Sequence, residues 1–429
     1  MLSTIDLTIV GVYAAGLFLL AQWVSRAPTR QKKNAQEYFL AGKTLPWWAI
    51  GASLIAANIS AEQIIGMSGS GYAIGLAIAS YEWMAALTLL LVGKFLLPIF
   101  LKTGIYTMPE FLAKRYDNRV KTVMALFWLG VYTFVNLTSI LWLGALAINT
   151  VAGIDLTAGL VALGVFAVAY SLYGGLRAVA LTDIIQVILL VMGGLMISWV
   201  LLDQVGNGAG ILGGFNALTE QAPGKFHMIL QEGHPHFMSL PGLSVLIGGM
   251  WVMNISYWGF NQYIIQRALA AKSVNEAQKG IAFAAFLKLL MPVIVVLPGI
   301  AMFALAPDLS APDSAYPSAM NLLPVGIKGL VFAALLAAIV SSLASMCNSI
   351  STIFTVDVAP SLGMKSDGGG RSVTLGRIVA IVAMGVAMLA AKPLLGKFEQ
   401  AFQYIQEFTG FFTPGIVAIF MLGLFWSRT

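Results

Sequence analysis

Two stretches decide the fold of this chain: SLIAANISAEQIIGMSGSG, residues Ser53 to Gly71, and GGMWVMNISYWGFNQYIIQR, residues Gly248 to Arg267. Both are apolar enough to enter a membrane, yet each carries amides, hydroxyls and glycines at its middle. This pattern predicts helices that unwind within the membrane. Because unpaired backbone N–H and C=O groups are costly in lipid, unwound main chain must line a cavity. Two interrupted helices of this kind are typical of a secondary transporter's binding site.

The composition indicates an integral membrane protein. Hydrophobic residues make up 59% of the 429 residues and charged residues only 10%, whereas soluble domains are about 25% charged. The first apolar stretch has neither a basic leading segment nor a small-residue cleavage site, so we expect a retained transmembrane helix. Cys347 is the only cysteine, so no disulfide can form within the chain.

Hydropathy predicts eleven spans of roughly 20 residues each. They cover approximately residues 5–25, 50–72, 81–101, 121–151, 157–174, 182–202, 243–266, 278–305, 325–356, 374–391 and 399–426. The first helix (1–26) is additional, and the other ten are called core spans 1 to 10 below. They divide into a five-helix repeat at 44–203 and a second at 242–429, joined by a long connection at 204–241. Because five is odd, the halves cross the membrane with opposite polarity, as in an inverted repeat.

The net charge of +6 is explained by membrane topology. Of the 24 Lys and Arg residues, 18 are assigned to one side of the membrane, among them Arg267, and 4 to the other. Since basic residues favour the cytoplasmic side, the N-terminus is predicted outside and the C-terminus in the cytoplasm. No nucleic acid is needed as a partner. His227, His234 and His236 fall in the connection at 204–241, where a solvated loop is expected rather than a metal site.

Four segments resemble the sodium:solute symporter family: YFLAGKTLPWWAIGASLIAANISAEQ, WGFNQYIIQRALAAKSVNEAQKG, VFAALLAAIVSSLASM and AFQYIQEFTG. The similarity covers essentially the whole chain and is nearest to bacterial sodium/galactose members. It implies an all-α integral membrane protein with a LeuT-like core of five plus five helices in an inverted repeat. One extra N-terminal helix brings the total to about 11 transmembrane helices. The implied activity is sodium-coupled uptake of a galactose- or glucose-like sugar through the bacterial inner membrane, without enzymatic chemistry.

The resemblance implies that sodium, the co-transported ion, binds between core spans 1 and 8. Its ligands are predicted to be the carbonyls of Ala56, Ile59 and Ala338 and the hydroxyls of Ser341 and Ser342. Hard cations prefer oxygen ligands, and carbonyls freed at a helix break supply them. The residues alone leave an alternative for both serines, namely hydrogen bonds to carbonyls four residues earlier in their own helix.

Sugar binding is assigned by the resemblance to five polar side chains: Gln63, Glu82, Asn254, Lys288 and Gln406. Sugar hydroxyls both donate and accept hydrogen bonds, which such groups can match. Lys288 is about nine residues inside its span, and an ionisable group at that depth indicates function. Capping remains an alternative for Glu82, and cross-helix hydrogen bonds for the three amides. Lys94, by contrast, is expected to reach the cytoplasmic surface.

Hydrophobic gates on both sides of the sugar are also implied by the resemblance. Tyr257 is predicted as the inner gate, and the outer gate is predicted to consist of Met67, Tyr81 and Phe402. Closing such gates would exclude water from the site. One position departs from the family, because Ala85 replaces a serine and removes one hydrogen bond to the sugar. Glu62 receives no role from the family and is expected to pair with N–H groups freed at the break.

Three alternatives stay open. The same scaffold carries other solutes in this family, such as a sialic acid, an amino acid or a vitamin. A membrane-embedded enzyme would need a nucleophile–base pair or metal ligands within the spans, and no such motif is present in the sequence. A channel would show a filter or a ring of charges, which is also not visible.

Overall fold

The computed structural model describes residues 2–25, 44–105, 107–364, 370–396 and 400–426. These residues form helices and connecting turns, with a single isolated bridge between Leu45 and Ala271. The basic residues within 26–43 and most of the Gly-rich link at 366–372 lie outside the described ranges. Helix α1 (Thr4–Ser25) is the additional N-terminal helix.

The first half of the core begins with an interrupted helix. Its helices are α2 (Trp47–Asn58), α3 (Met67–Ala73), α4 (Ser80–Leu91), α5 (Leu97–Thr103), α6 (Met108–Arg115), α7 (Asn118–Val131), α8 (Thr138–Ala152) and α9 (Leu156–Val205). Core spans 4 and 5, predicted as separate helices at 157–174 and 182–202, lie in the one helical run α9. The two apolar parts of this run, Leu156–Ser171 and Asp183–Val205, correspond to the predicted spans.

The second half follows a connection that contains a helix of its own. The helices are α10 (Gly210–Gln221), α11 (Gly242–Ser244), α12 (Met250–Ile255), α13 (Gln262–Leu269), α14 (Val274–Met291), α15 (Leu297–Leu305), α16 (Ala315–Met320), α17 (Ile327–Ile353), α18 (Gly370–Leu395), α19 (Ala401–Gly410) and α20 (Thr413–Phe425). Helix α10 lies in the stretch that was predicted as a plain connection. It forms because it can bury Leu218 and pack Gly214 closely against Leu202.

The helical segments agree with the predicted number of spans. Seven described helices are long and apolar enough to cross a membrane, and two bent pairs raise the number to nine. Two shorter apolar helices, Thr4–Leu20 and Leu156–Ser171, complete the set of eleven. Exposed apolar side chains recur at helical spacing along α9, as at Ile188, Met192 and Trp199. Such a face suits contact with lipid.

Turns of π-helix occur in both halves. In the first half they are Glu62–Gly66, Val92–Leu96 and Tyr132–Leu137, in core spans 1, 2 and 3. In the second half they are Val245–Gly249, Ser256–Phe260, Pro292–Val296 and Phe354–Val358, in core spans 6, 7 and 8. Such turns are rare in proteins overall, but those that occur are often at functional sites.

Core span 1 is broken where the sequence predicts. Its two halves meet at an angle of 61°. The N–H of Ser60 donates to the Asn58 carbonyl at 2.8 Å, so the Ala56 carbonyl loses its usual helical donor four residues on. The Ser60 hydroxyl accepts from the N–H of Glu62 at 3.2 Å and so caps the following turn.

Core span 6 is broken at Asn261, which has extended backbone angles (φ −83°, ψ 118°). The Asn261 side chain accepts from the N–H of Tyr263 at 3.1 Å and caps the helix that follows. The hydroxyl of Tyr132 donates to the same oxygen at 2.6 Å. Both interruptions expected from the sequence are therefore present, each with a side chain that begins the next helix.

The two halves pack closely where core spans 1 and 7 cross. A Cβ atom at Gly51 would lie 2.7 Å from the Gly280 carbonyl oxygen, so only glycine fits there without rearrangement. Small residues allow helix backbones to approach in this way. Core span 8 lies at the centre of the bundle, since 89% of its most apolar stretch of 18 residues is buried. This arrangement places the break in core span 1 against core spans 7 and 8.

Candidate functional site

A cavity with an empty volume of about 1000 Å³, which includes space open at its mouth, lies between the two halves. Its wall contains all nine side chains predicted to bind the sugar or to form gates: Gln63, Met67, Tyr81, Glu82, Asn254, Tyr257, Lys288, Phe402 and Gln406. They come from core spans 1, 2, 6, 7 and 10. Residues far apart in the sequence thus meet at one site, although their roles stay predictions.

A buried ion pair forms the most polar part of the cavity. The Lys288 ammonium lies 2.6 Å from the Glu82 carboxylate, and the two side chains are 1% and 3% exposed. The Gln63 amide donates to the other Glu82 oxygen, and Lys288 also donates to the Asn58 side-chain carbonyl. The Lys288 ammonium lies 5.1 Å from the centre of the Trp258 ring, within range of a cation–π contact. Lys288 is therefore held deep in the bundle, whereas Lys94 is exposed, and its reach to the cytoplasmic surface stays a prediction.

Asn58 was not predicted from the sequence, although it connects the polar cluster to Tyr257, the predicted inner gate. Its amide donates to the Tyr257 hydroxyl at 3.1 Å. The signal available in the sequence was its place between Ala56 and Ile59, at the end of the first half of the broken helix. Among the described residues, Asn254 and Gln406, unlike Gln63, do not join the cluster around Glu82. The Asn254 amide donates to the Met250 carbonyl in its own helix at 2.9 Å. Gln406 is half-buried in the cavity wall.

The residues predicted to form the outer gate are packed together. The rings of Tyr81 and Phe402 meet edge to face with centroids 5.5 Å apart, and Met67 is fully buried beneath Gln63. At the other end the cavity continues past Phe127 and Phe412. The wall is therefore closed at the predicted outer side and continues toward the predicted cytoplasmic ends of core spans 3 and 10.

All five predicted sodium ligands are buried where core spans 1 and 8 meet: Ala56, Ile59, Ala338, Ser341 and Ser342. The Ser342 hydroxyl donates to the Ala57 carbonyl across the helix interface at 3.1 Å. The Ser341 hydroxyl donates to the Asp183 carboxylate on α9. Neither contact is the bond to the same helix that was the alternative. Freed carbonyls and hydroxyls at one point fit a sodium ion chemically, and the assignment of individual ligands stays a prediction.

Asp183 belongs to a buried cluster that the sequence analysis did not single out. Its carboxylate accepts from the Ser53 hydroxyl at 2.6 Å, and Ser53 accepts from Arg267 at 2.9 Å. The Arg267 guanidinium also donates to the Ser345 hydroxyl at 2.5 Å. Arg267, which was counted among the basic residues on one side of the membrane, is buried and only 1% exposed. The available signal for Asp183 was an ionisable residue inside a predicted span.

Comparison with known proteins gives a consistent result. The model of the sodium:solute symporter family matches residues 38–429. The sodium/glucose cotransporter of Vibrio parahaemolyticus is 55% identical, with 100% of this chain and 82% of that protein covered. The sodium/myo-inositol cotransporter of Bos taurus is 34% identical, with 100% and 64% covered.

A solved structure resembles the present one over almost its whole length. It is that of a Na⁺-coupled sialic acid symporter in a substrate-bound, outward-open state. The two share a TM-score of 0.86 and 26% identity, over 99% of this chain and 88% of the other. The predicted all-α, LeuT-like fold is confirmed by this likeness. This chain therefore belongs to the sodium:solute symporter family, and it is a multi-pass membrane protein that couples solute transport to sodium.

Proposed function

We propose that this protein carries a neutral, galactose- or glucose-like sugar into a bacterial cell together with sodium. The observation that carries the proposal is the cavity built around the Glu82–Lys288 pair, with Gln63, Asn254 and Gln406 in its wall. Ammonium and amide groups donate to sugar oxygens, while carboxylate and amide oxygens accept from hydroxyls. The similar proteins from Vibrio and Bos are named for glucose and myo-inositol, which are both uncharged polyols.

A sialic acid fits the cavity less well than a neutral sugar. An anionic substrate needs a cation or several free donors for its carboxylate. In this cavity the Lys288 ammonium is already paired with Glu82 at 2.6 Å, and a second carboxylate, Glu62, lies in the wall. The excess of negative charge disfavours an anion. The sialic acid symporter therefore informs the fold of this chain more than its substrate.

Sodium coupling is proposed to act at the contact between Ser342 and the broken core span 1. Sodium would replace the hydrogen bond from Ser342 to the Ala57 carbonyl and hold the break in one geometry. The sugar site begins at Asn58 and Gln63, on either side of the same break. Ordering of the break by sodium would raise sugar affinity, and such coupling is typically 1–3 kcal/mol and reciprocal. The repeats then move around the occupied site to expose it to the other side.

The driving force is sufficient for one sodium per sugar. One charge crossing about 100 mV gives roughly 2.3 kcal/mol, and a tenfold gradient adds about 1.4 kcal/mol. The sum supports roughly 500-fold accumulation of a neutral solute. The bacterial relative supports a location in the bacterial inner membrane, and the asymmetry of basic residues supports an N-terminus outside. In that orientation the closed Tyr81–Phe402 contact faces outward, and the cavity continues toward the cytoplasm.

Uptake of radiolabelled galactose into proteoliposomes tests the proposal. An inward sodium gradient should drive saturable accumulation, and an equal potassium gradient should not. Unlabelled glucose or galactose should compete, whereas a sialic acid and proline should not. Sodium-driven uptake of proline or sialic acid with no competition by sugars would contradict the sugar assignment.

A further inference from the structure

Glu62 is a second carboxylate in the cavity wall that the proposed sugar site does not use. It is the first residue of the π-helical turn Glu62–Gly66, and its side chain is half-buried. Adjacent residues of a helical turn point in different directions. Gln63 reaches Glu82 on core span 2, whereas Glu62 reaches Ser139 on core span 3. The two neighbours therefore serve different walls of the cavity.

The hydrogen bonds of Glu62 are incomplete within the protein. The Ser139 hydroxyl contacts a Glu62 carboxylate oxygen and also lies 2.9 Å from the Asn136 carbonyl oxygen. A hydroxyl has one proton, so it cannot donate to both acceptors at once, while a carboxylate can accept about four hydrogen bonds. Across the described ranges, the ion pairs found involve other acids, and none places a cation on Glu62.

Glu82, in the same cavity, receives donors from the protein on both of its carboxylate oxygens. One of its oxygens receives the Gln63 amide and the other receives the Lys288 ammonium. A carboxylate at this depth without comparable donors is costly. Glu62 faces the cavity together with Asn136 and Gln406. The missing donors must therefore come from what the cavity holds, and sugar hydroxyls are donors of the required kind.

We propose that Glu62 is a further substrate-binding residue, which accepts a hydrogen bond from a sugar hydroxyl on a different ring edge from the one held by Lys288. The inference rests on the proposed sugar transport and adds the group by which the site distinguishes one sugar from another. A sugar that lacks this one hydroxyl leaves the carboxylate without a donor. Discrimination against that sugar should then be strong, because a site built around a buried polar group rejects an analogue that lacks its partner.

The test compares wild type with Glu62→Gln, which keeps the size of the side chain and removes its charge. The KM for galactose uptake and the inhibition constant of each monodeoxygalactose are measured in proteoliposomes. The variant should raise the KM for galactose about tenfold, the size expected for one charge-assisted hydrogen bond. One monodeoxygalactose lacks the hydroxyl that Glu62 is proposed to bind. For that sugar only, wild type and variant should have the same inhibition constant, because neither protein can form the hydrogen bond with it. At saturating galactose, the sodium concentration for half-maximal uptake should not change, because the coupled sugar site is then occupied in both proteins.

Other outcomes overturn the inference. Equal weakening of every analogue would indicate a structural role, and a shift confined to sodium dependence would indicate a cation ligand. Ser139→Ala provides a second variant, since it leaves the carboxylate in place and removes its internal donor. This variant should keep the wild-type profile of deoxy sugars, and loss of the profile would mean that Glu62 acts only through Ser139. If the wild-type protein took up no sugar at all, the proposed function would be contradicted, and this inference with it.

Discussion

At the scale of single residues, the Glu82–Lys288 pair is held inside the membrane by several polar side chains. The 2.6 Å contact and the amides of Gln63 and Asn58 replace the water that both charges have lost. Burial of an ion pair adds little net stability, but removal of one partner leaves an uncompensated charge. The pair is therefore a sensitive probe of the site.

Lys288→Met should destabilise the protein by about 3–5 kcal/mol and abolish sugar uptake, because Glu82 is left buried without a cation. Thermal unfolding in detergent and uptake into proteoliposomes measure the two effects. Lys94→Met is the matched control on an exposed position and should change stability by no more than about 0.5 kcal/mol. Addition of Glu82→Gln to Lys288→Met should recover much of the stability without recovering uptake. A fully active Lys288→Met protein would remove the pair from the site.

Ser342→Ala should abolish sodium stimulation of uptake while the protein stays folded. The hydroxyl donates to the Ala57 carbonyl beside the break and is predicted to bind sodium there. The matched control is Ser351→Ala on the same helix, where the buried hydroxyl has no hydrogen-bond partner among the described residues. Uptake as a function of sodium concentration should be normal for that control. If uptake by Ser342→Ala depended on sodium concentration as uptake by the wild type does, Ser342 would be excluded as a sodium ligand.

Ala85→Ser should strengthen galactose binding by about 2- to 10-fold, the value of one added neutral hydrogen bond. Ala85 lies in the cavity wall one turn after Glu82 and is 2% exposed. Competition of unlabelled galactose against labelled uptake measures the change. An unaltered affinity would show that the serine found elsewhere in the family has no counterpart role here.

At the scale of elements, a short turn between core spans 7 and 8 holds the start of α19, which carries part of the predicted outer gate. Asp313, in the turn Pro312–Ser314, accepts from the N–H of Ala401 at 2.9 Å, directly before Phe402. Its other oxygen is buried without a hydrogen-bond partner among the described residues. Burial raises the pKa of Asp313 from 3.8 to about 7. The hydrogen bond from Ala401 favours the charged carboxylate, but burial outweighs it, so the protonated form is the more stable one in the folded turn.

Asp313→Asn should flatten the pH dependence of thermal stability. The folded pKa is raised, so the stabilisation is complete below pH 3.8 and is lost as the pH rises through about 7. Wild type should therefore lose stability relative to the variant between pH 5 and pH 8, by at most about 1.4 kcal/mol per pH unit. Unfolding temperatures of both proteins across this range measure the difference. Parallel pH profiles would contradict the role of Asp313.

At the scale of the whole molecule, the fold could be predicted because membrane burial leaves a strong mark on sequence. The two interrupted stretches carry polar groups where lipid tolerates none, so both breaks were expected, and Ser60 and Asn261 show how each is capped. Helix α10 was missed because its Gly-rich sequence gives little helical signal, and the helix depends on burial of Leu218 and on close packing of Gly214 against Leu202.

The candidate site was predictable only in part. Lys288 could be found from its depth in a span, and the resemblance supplied the amides and the gates. The cluster of Asp183, Ser53 and Arg267 could not be assembled, because its members come from three spans and meet only in the folded chain. Arg267 in particular looks like a surface charge by its position after a span. Its burial depends on partners contributed by core spans 1 and 8.

The central claim is that the break in core span 1 links a sodium ion and a sugar in adjacent sites. Equilibrium binding of labelled galactose to the purified protein, in sodium chloride and in choline chloride, tests it most directly. Sodium should tighten galactose binding by about 5- to 150-fold, and galactose should tighten sodium binding by the same factor. Galactose affinity that is equal in the two salts would contradict the account.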